Sequence, residues 1–207
     1  MLRAFADLGF RWKIALPIML LAVLLVSMGV LGVRGITQVS DSSTKLTNRF
    51  LPGISLLLNA DRDLYQAFVA ERSLLDEGVG ANAEALIASH AENLQQAYDR
   101  VHKFADMQPS SEAMQLVSQF DAGFERWKAT SQKVLQLAAN DPQAASVLSF
   151  GGSEEQFEAM RTTIDKLGEM DDAAANAEGL AAIALGETLS WQQGLIIAVG
   201  LGRRFAR

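Results

Sequence analysis

An uncharged apolar run near the start of the chain constrains the fold more than any other feature. It extends from Ile14 to Val33 and reads IALPIMLLAVLLVSMGVLGV. At a rise of about 1.5 Å per residue, a helix of this length spans the ~30 Å hydrocarbon core of a bilayer. Arg11 and Lys13 precede the run, and positive charge favours the cytoplasmic side. We therefore expect the chain to cross a membrane here, with its N-terminus in the cytoplasm.

A cleaved signal peptide is the alternative interpretation of this run. The apolar core of a signal peptide has about 7–15 residues and precedes a small-residue cleavage site. The present run is longer, and no A-x-A-like site comes after it. Residues 35–46 instead continue a helix-compatible pattern, which favours an uncleaved membrane helix.

A second apolar stretch lies at the end of the sequence. The uncharged segment from Thr188 to Gly202 is followed by Arg203 and Arg204, but fifteen residues are too few to span a bilayer comfortably. We interpret residues 191–207 as the start of a truncated second transmembrane helix. An interfacial or buried C-terminal helix is the alternative.

The net charge of -6 is unevenly distributed along the 207 residues. Residues 1–34 and 191–207 carry seven basic side chains and one acidic one, which leaves residues 35–190 with 11 basic and 23 acidic side chains. Such an acidic middle argues against a nucleic-acid partner, because phosphate binding needs clustered Lys and Arg. The chain has no cysteine, so a disulfide and a thiolate ligand are both excluded.

Turn signals divide the middle of the chain into four long helical pieces. The breaks are predicted at Asp76–Gly80, Gln108–Ser110 and Asn140–Ser153, and the apolar spacing between them is helical. A kink is expected at Pro52-Gly53. These pieces predict an all-α, antiparallel up-down-up-down four-helix bundle. The expected organisation is a cytoplasmic segment, a first transmembrane helix, an extracytoplasmic four-helix bundle and a second transmembrane helix, at residues 1–13, 14–33, 34–190 and 191–207.

Each piece carries an apolar stripe that we predict to be buried. The third helix has the most regular stripe, with steps of three and four over three heptads. Ser110 or Ser111 is expected to cap this helix, and Ser153 with Gln156 forms a capping-box pattern at the start of the fourth. The predicted stripes are, in chain order, Ile54, Leu57, Leu58, Leu64, Phe68, Leu74 and Leu75; Ile87, Leu94, Tyr98, Val101 and Phe104; Val117, Phe120, Phe124, Trp127, Ser131, Val134 and Ala138; and Phe157, Met160, Ile164 and Leu167, after which the fourth stripe continues with the small residues Ala174, Ala177, Ala181 and Ala184.

The sequence resembles a known receptor family. Leu51-Pro52-Gly53-Ile54, the stretch from Ala60 to Ala67 (ADRDLYQA) and Ala70-Glu71-Arg72 are similar to the first sensing helix of four-helix-bundle chemoreceptors, the methyl-accepting chemotaxis proteins. The resemblance implies a homodimer in the bacterial inner membrane whose periplasmic part senses a small-molecule ligand or a periplasmic binding protein. Sensor histidine kinases and diguanylate cyclases use the same input module. These receptors continue into a cytoplasmic signalling region, and this sequence stops at the predicted second span.

In an antiparallel bundle, the first-helix stretch with Arg62 and Arg72 and the fourth-helix stretch with Arg161 and Thr162 are expected at similar heights, which suggests a ligand site. The resemblance adds weight, because such receptors bind small anions with first-helix arginines and a fourth-helix threonine. A guanidinium fork binds a carboxylate or phosphate through two hydrogen bonds, which suits an amino or organic acid. Surface ion pairs of Arg62 and Arg72 with nearby acids such as Asp63 and Glu71, or with the second helix, are the alternative. The candidate ligand-binding residues are Arg62, Tyr65, Arg72, Arg161 and Thr162.

No pattern of catalytic residues is evident. His90 and His102 are twelve residues apart, which is not metal-ligand spacing, and His90 is expected to be a seam residue with a satisfied ring. The acid pairs Asp61/Asp63, Glu154/Glu155 and Asp171/Asp172 are expected on solvated faces, because near neighbours on a helix do not face each other. We therefore predict no enzyme activity, no cofactor and no metal. A structural membrane-anchored bundle remains an alternative to a sensor.

Overall fold

The computed structural model describes residues 9–77 and 80–201, and no strand occurs within these ranges. The all-α prediction is confirmed. The elements, in chain order, are α1 (Phe10–Lys45), the π-helical turn π1 (Leu46–Phe50), α2 (Leu51–Glu77), α3 (Ala83–Met107), α4 (Ser111–Ala138), α5 (Pro142–Leu148), the π-helical turn π2 (Ser149–Ser153) and α6 (Glu154–Leu201).

The chain divides into two compact units, and residues 46–175 form the larger one. This unit is a four-helix bundle of α2, α3, α4 and the helical segment that starts at Pro142. Side-chain contacts establish the antiparallel arrangement. His90 of α3 bonds to Ser131 of α4, while His102, further along α3, bonds to Asp121, which lies earlier in α4. Residue numbers rise on one helix as they fall on its neighbour, as the up-down-up-down prediction requires.

The bundle core is built on aromatic side chains from α2, α4 and α6. The rings of Phe68 and Phe157 stack with centroids 4.3 Å apart, and Trp127 packs 5.1 Å from Phe157. Every residue of the predicted α4 stripe is buried, and so are the four large residues of the fourth-helix stripe. The small residues that continue the fourth-helix stripe are exposed, namely Ala174, Ala177, Ala181 and Ala184. Leu58 and Ile87 are exposed, so the prediction was wrong for these two. Small and polar side chains occupy the core faces of α2 and α3 instead, namely Ala60, Asp63, Ala67, Ala70, Glu71, His90 and Ala97.

The predicted break over residues 140–153 is largely helical, which corrects the sequence-based boundary. The fourth bundle helix begins at Pro142, whose missing N–H costs little in a first turn, and the Asp141 side chain accepts a hydrogen bond from the Ala144 amide at 3.0 Å. The predicted capping box at Ser153 and Gln156 was wrong, because the backbone there is already helical and the Ser153 hydroxyl bonds elsewhere. Ser110 caps α4 as expected, through the Ala113 amide.

The kink expected at Pro52-Gly53 does not interrupt α2. The irregularity lies earlier, in π1, and Pro52 falls in the first turn of the helix that comes after it. Gly53 is buried, and a Cβ at this position would lie 3.2 Å from a carboxylate oxygen of Asp171 and 3.3 Å from the Phe104 ring. The absence of a side chain at Gly53 therefore permits close packing of three helices.

The smaller unit joins residues up to 45 with residues from 176 onward. Its two helical segments lie antiparallel: Lys45 pairs with Glu178 at 3.0 Å, and a Cβ on Gly35 would meet Leu189 at 2.9 Å. Among the described residues, one helix is long and apolar enough to cross a membrane; it begins at Phe10, and its most apolar window has a mean hydropathy of 2.7 with no buried residue. The truncated second span stays a prediction, and its last residues, 202–207, lie outside the described ones.

Candidate functional site

Arg72 on α2 is the predicted ligand residue that lies between two aromatic rings. Its guanidinium lies between two rings, 3.7 Å from the Phe150 centroid and 4.5 Å from that of Phe68. One nitrogen donates to Glu154 at 3.1 Å and to the Ser149 carbonyl oxygen at 3.3 Å. The Arg72 side chain is 23% exposed and that of Glu154 is 47% exposed. Arg72 is thus oriented by apolar surfaces while its charge partner stays in contact with solvent.

A groove of about 510 Å³ runs past this arginine, and we call it the Arg72 groove. Two of the predicted ligand residues, Tyr65 and Arg72, line it. The ring of Tyr65 lies 5.8 Å from the Arg161 guanidinium, so Arg161 borders the same region. The lining residues are Tyr65, Phe68, Val69, Arg72, Leu75, Asp76, Ser146 and Phe150.

Arg161 is already paired with a carboxylate across the bundle. Its Nε donates to one oxygen of Asp61 at 2.6 Å, and its Nη2 donates to the other at 3.1 Å. This bidentate geometry is the strong form of an arginine–carboxylate pair, and the hydrogen bond to Asp61 raises the pKa of Arg161. Arg161 therefore fixes α6 against α2 and adds positive potential beside Tyr65.

The other two predicted ligand residues lie outside the groove lining. Arg62 pairs at 2.8 Å with Asp63, an acid that the ion-pair alternative named, and Arg100 reaches the same carboxylate at 2.6 Å. Asp63 is fully buried, so the solvated-face prediction was wrong for it. The Thr162 hydroxyl is exposed and donates to the Glu158 carbonyl oxygen of its own helix at 2.9 Å.

A buried polar network next to Arg72 escaped the sequence analysis, and we call it the Glu71 cluster. Glu71 is fully buried and accepts hydrogen bonds from the hydroxyls of Ser149 at 2.5 Å, Ser153 at 3.1 Å and Ser131. Burial raises the pKa of Glu71, and the three serine hydrogen bonds oppose this rise. The convergence of three serines on one buried acid is visible only once the register between helices is known.

Two further side chains orient the serine hydroxyls of the Glu71 cluster. His90 lies 2.6 Å from the Ser131 oxygen, and the Trp127 indole N–H donates to Ser153 at 3.1 Å. Because each serine has one proton and gives it to Glu71, His90 donates its Nε2 proton to Ser131. Burial lowers the pKa of His90 to about 4, which keeps the ring neutral. The expected satisfied seam histidine is confirmed.

A second buried carboxyl lies at the other end of the bundle, and we call its surroundings the Asp171 cluster. Arg49 of π1 donates to the Gln108 side-chain oxygen, and the Gln108 amide donates to Asp171. Asp171 is fully buried, which corrects the solvated-face prediction, and its second oxygen has no hydrogen-bond partner among the described residues. Burial, reinforced by the neighbouring Asp172, raises the pKa of Asp171 to about 6.

A second groove, smaller than the Arg72 groove, has the wrong charge for an anion. It lies between α2 and α6, has a volume of about 380 Å³ and contains four carboxylates on an apolar floor. Within residues 9–77 and 80–201, no cluster of three His, Cys, Asp or Glu side chains is placed to hold a metal ion. The arrangement around Arg72 therefore offers the more suitable chemistry for a carboxylate or phosphate ligand. The acidic side chains of the second groove are Asp61, Asp165, Glu169 and Asp172.

Comparison with known proteins gives one family. Residues 7–185 match the family described as a four helix bundle sensory module for signal transduction. Neither curated protein sequences nor solved structures give a match. The matched residues cover most of the chain and include the whole helical bundle, Arg72, Glu71 and Asp171. The chain belongs to this family of four-helix-bundle sensory modules.

Proposed function

We propose that this chain is the sensing module of a transmembrane receptor of the methyl-accepting chemotaxis type, with its bundle outside the bacterial inner membrane. The proposed module binds a small anion, or a periplasmic binding protein that carries a ligand, and passes a helix displacement inward. Family membership and the membrane-length apolar helix α1 support this proposal. It is a binding function, without catalysis or a cofactor.

The observation that carries the proposal is the placement of Arg72. Its guanidinium is held by two rings, so little conformational entropy is lost when a ligand binds. Its pair with Glu154 is half-exposed, and ion pairs of this kind contribute only about 0–1 kcal/mol. A ligand carboxylate or phosphate therefore replaces Glu154 at low cost. The nearby Arg161 adds attraction for the same charge.

The exposed face of α2 supports a homodimer. Leu51 is 63% exposed, Leu58 68% and Tyr65 51%, and these residues recur at intervals of seven. A heptad of apolar side chains is the pattern of a helix that pairs with another helix. A second copy of α2 is the partner that we propose for this face, which places the Tyr65 side of each Arg72 groove close to the dimer contact.

Two other assignments differ from this one in the output region that the module controls. A sensor kinase or a diguanylate cyclase can carry the same input module as a chemotaxis receptor. The module would bind its ligand in the same way in all three, so the output region is what distinguishes them. A structural bundle without a ligand is the remaining candidate. No contact in the described residues favours it over a sensor, and an oriented arginine in a groove favours the sensor.

Thermal unfolding of the full chain in lipid nanodiscs tests the proposal. A ligand that binds only the folded state raises the unfolding midpoint, and aspartate, citrate and inorganic phosphate are suitable probes. We expect at least one of them to raise the midpoint, and Arg72→Ala to abolish the rise. Arg126→Ala removes an exposed arginine from α4 and should leave the rise intact. A response that survives Arg72→Ala, or no response to any anion or binding-protein mixture, would contradict the proposed site.

A further inference from the structure

The π-helical turn π2 is held by two consecutive residues of α2. Glu71 accepts hydrogen bonds from the hydroxyls of Ser149 and Ser153, the first and last residues of the turn. Arg72 donates to the carbonyl oxygen of Ser149 and packs 3.7 Å from the ring of Phe150. The dipeptide Glu71-Arg72 thus contacts both ends of a five-residue turn, and Arg72 also pairs with Glu154, the residue immediately after it.

A π-helical turn is an irregularity that needs support. It carries one residue more than an α-helical turn would, and such turns are rare and occur frequently at functional sites. If π2 relaxed to α-helical geometry, the segment before it would rotate by about 100° per residue relative to the segment after it. Val147 and Leu148 precede the turn, and Phe157 and Met160 lie beyond it in the core. A change in π2 therefore alters the register of the helix that forms the fourth wall of the bundle.

The two halves of the dipeptide differ in how readily they release the turn. Glu71 is fully buried and holds three hydroxyls, so its bonds have no competitor from solvent. Arg72 faces a groove, and its partner Glu154 is partly exposed. A bound anion competes for the Arg72 hydrogen bonds and leaves those of Glu71 in place.

We infer that Glu71-Arg72 is a clamp on π2, and that an anion in the Arg72 groove opens the Arg72 half of this clamp. Opening frees the Ser149 carbonyl and Glu154, and the fourth bundle helix then changes its packing between Ser149 and Glu154. The inference rests on the proposed function for its trigger, whereas the clamp itself rests on the contacts alone. In this mechanism, the turn π2 converts ligand binding into movement of the fourth bundle helix.

Hydrogen–deuterium exchange of the full chain in nanodiscs, read on peptides that cover residues 146–156, tests the clamp. We expect Glu154→Ala and Arg72→Lys each to accelerate exchange in this segment roughly tenfold, because each weakens a charge-assisted hydrogen bond. Glu125→Ala is the matched control: Glu125 accepts from Lys128 at 3.5 Å on α4, beside the Phe124 ring. This control should leave residues 146–156 unchanged. Unchanged exchange in both test variants would overturn the clamp.

Adding citrate or inorganic phosphate to the unmodified chain tests the trigger. Faster exchange at residues 146–156, together with a higher unfolding midpoint, supports the inference. A raised midpoint with unchanged exchange in this segment overturns the inference and leaves the proposed function standing. If no anion raises the midpoint, the proposed ligand and the trigger both fail, and accelerated exchange in Glu154→Ala then supports the clamp alone.

Discussion

The two ends of the bundle each contain a buried carboxyl, but the two carboxyls have different hydrogen-bond partners. Each end buries a carboxyl completely next to a π-helical turn: Glu71 beside π2 and Asp171 beside π1. Glu71 accepts three hydroxyl hydrogen bonds, whereas Asp171 accepts one amide hydrogen bond and keeps an oxygen without a partner among the described residues.

The difference shows that burial alone does not decide the charge of a carboxyl. Desolvation raises the pKa of both groups; three serine hydroxyls oppose the rise at Glu71, whereas the charge of Arg49 and one Gln108 amide oppose it at Asp171. In the Glu71 cluster, three serine hydroxyls donate to one carboxyl group and stabilise its ionised form. The Asp171 cluster tolerates a proton near pH 6. We therefore regard the first as a fixed polar anchor and the second as a group that titrates.

The largest effect is expected from removing the anchor. Glu71→Ala leaves three buried serine hydroxyls without their acceptor and creates a cavity, and such changes cost about 3–5 kcal/mol. Chemical denaturation of the full chain at pH 7.5 measures the loss. Asp171→Ala is the matched variant, and we expect it to cost less because one amide loses its acceptor there. An equal loss at both positions would contradict the comparison.

The second effect is a pH dependence that comes from Asp171. Its pKa is raised to about 6 in the folded state from 3.8, so the folded chain binds a proton more readily than the unfolded chain. This contribution to stability is fully present below about pH 4 and is lost as the pH rises through 6. As the pH falls from 7 to 4.5, the thermal unfolding midpoint of the unmodified chain should therefore rise relative to that of Asp171→Asn. A constant difference between the two chains would refute the titration.

His90 is expected to act in the opposite direction over the same range. Its pKa is lowered to about 4 from 6.5, so below pH 6.5 the unfolded chain takes up the proton first. The His90 contribution is present above pH 6.5 and is lost as the pH falls towards 4. The variant His90→Gln keeps an N–H donor for Ser131 and should remove this acid loss. Thermal melts between pH 7 and 4.5 measure this loss of stability. If His90→Gln loses stability more steeply than the unmodified chain as the pH falls, the prediction is wrong.

A smaller effect is expected from packing at the Asp171 end. Gly53→Ala places a Cβ 3.2 Å from the Asp171 oxygen and 3.3 Å from Phe104, and such crowding costs about 1–3 kcal/mol. Gly168→Ala is the matched control on α6, where a Cβ meets nothing within 4 Å. It should stabilise the helix by up to about 1 kcal/mol. Equal midpoints for the two variants would show that the close contact does not constrain the bundle.

Much of the architecture was predictable because it depends on local periodicity. The stripe from Val117 to Ala138 repeats regularly and contains large aromatic residues, and all seven positions are buried. Leu58 and Ile87 misled the prediction because alanines and polar residues fill the core faces of their helices. The two π-helical turns leave no hydrophobic pattern, so Gly151 and Gly152 resemble part of a loop in the sequence.

The polar clusters were not predictable from the sequence. Arg161 pairs with Asp61, a hundred residues away, and Arg72 pairs with Glu154. Both pairs depend on the register between α2 and α6, which a single sequence does not specify. The sequence placed Tyr65 and Arg72 on one helix in the same candidate site, and both line the same groove. Their role in ligand binding stays a prediction.

The most direct test of the central proposal, a sensing bundle on the far side of the membrane from the N-terminus, is cysteine labelling in intact cells. The chain has no cysteine, so Gln95→Cys on the exposed face of α3 and Gly9→Cys before α1 each introduce one thiol. With a membrane-impermeant maleimide, we expect Gln95→Cys to react in cells whose inner membrane is intact and Gly9→Cys to react only after that membrane is permeabilised. Protection of Gln95→Cys until permeabilisation would contradict the proposal.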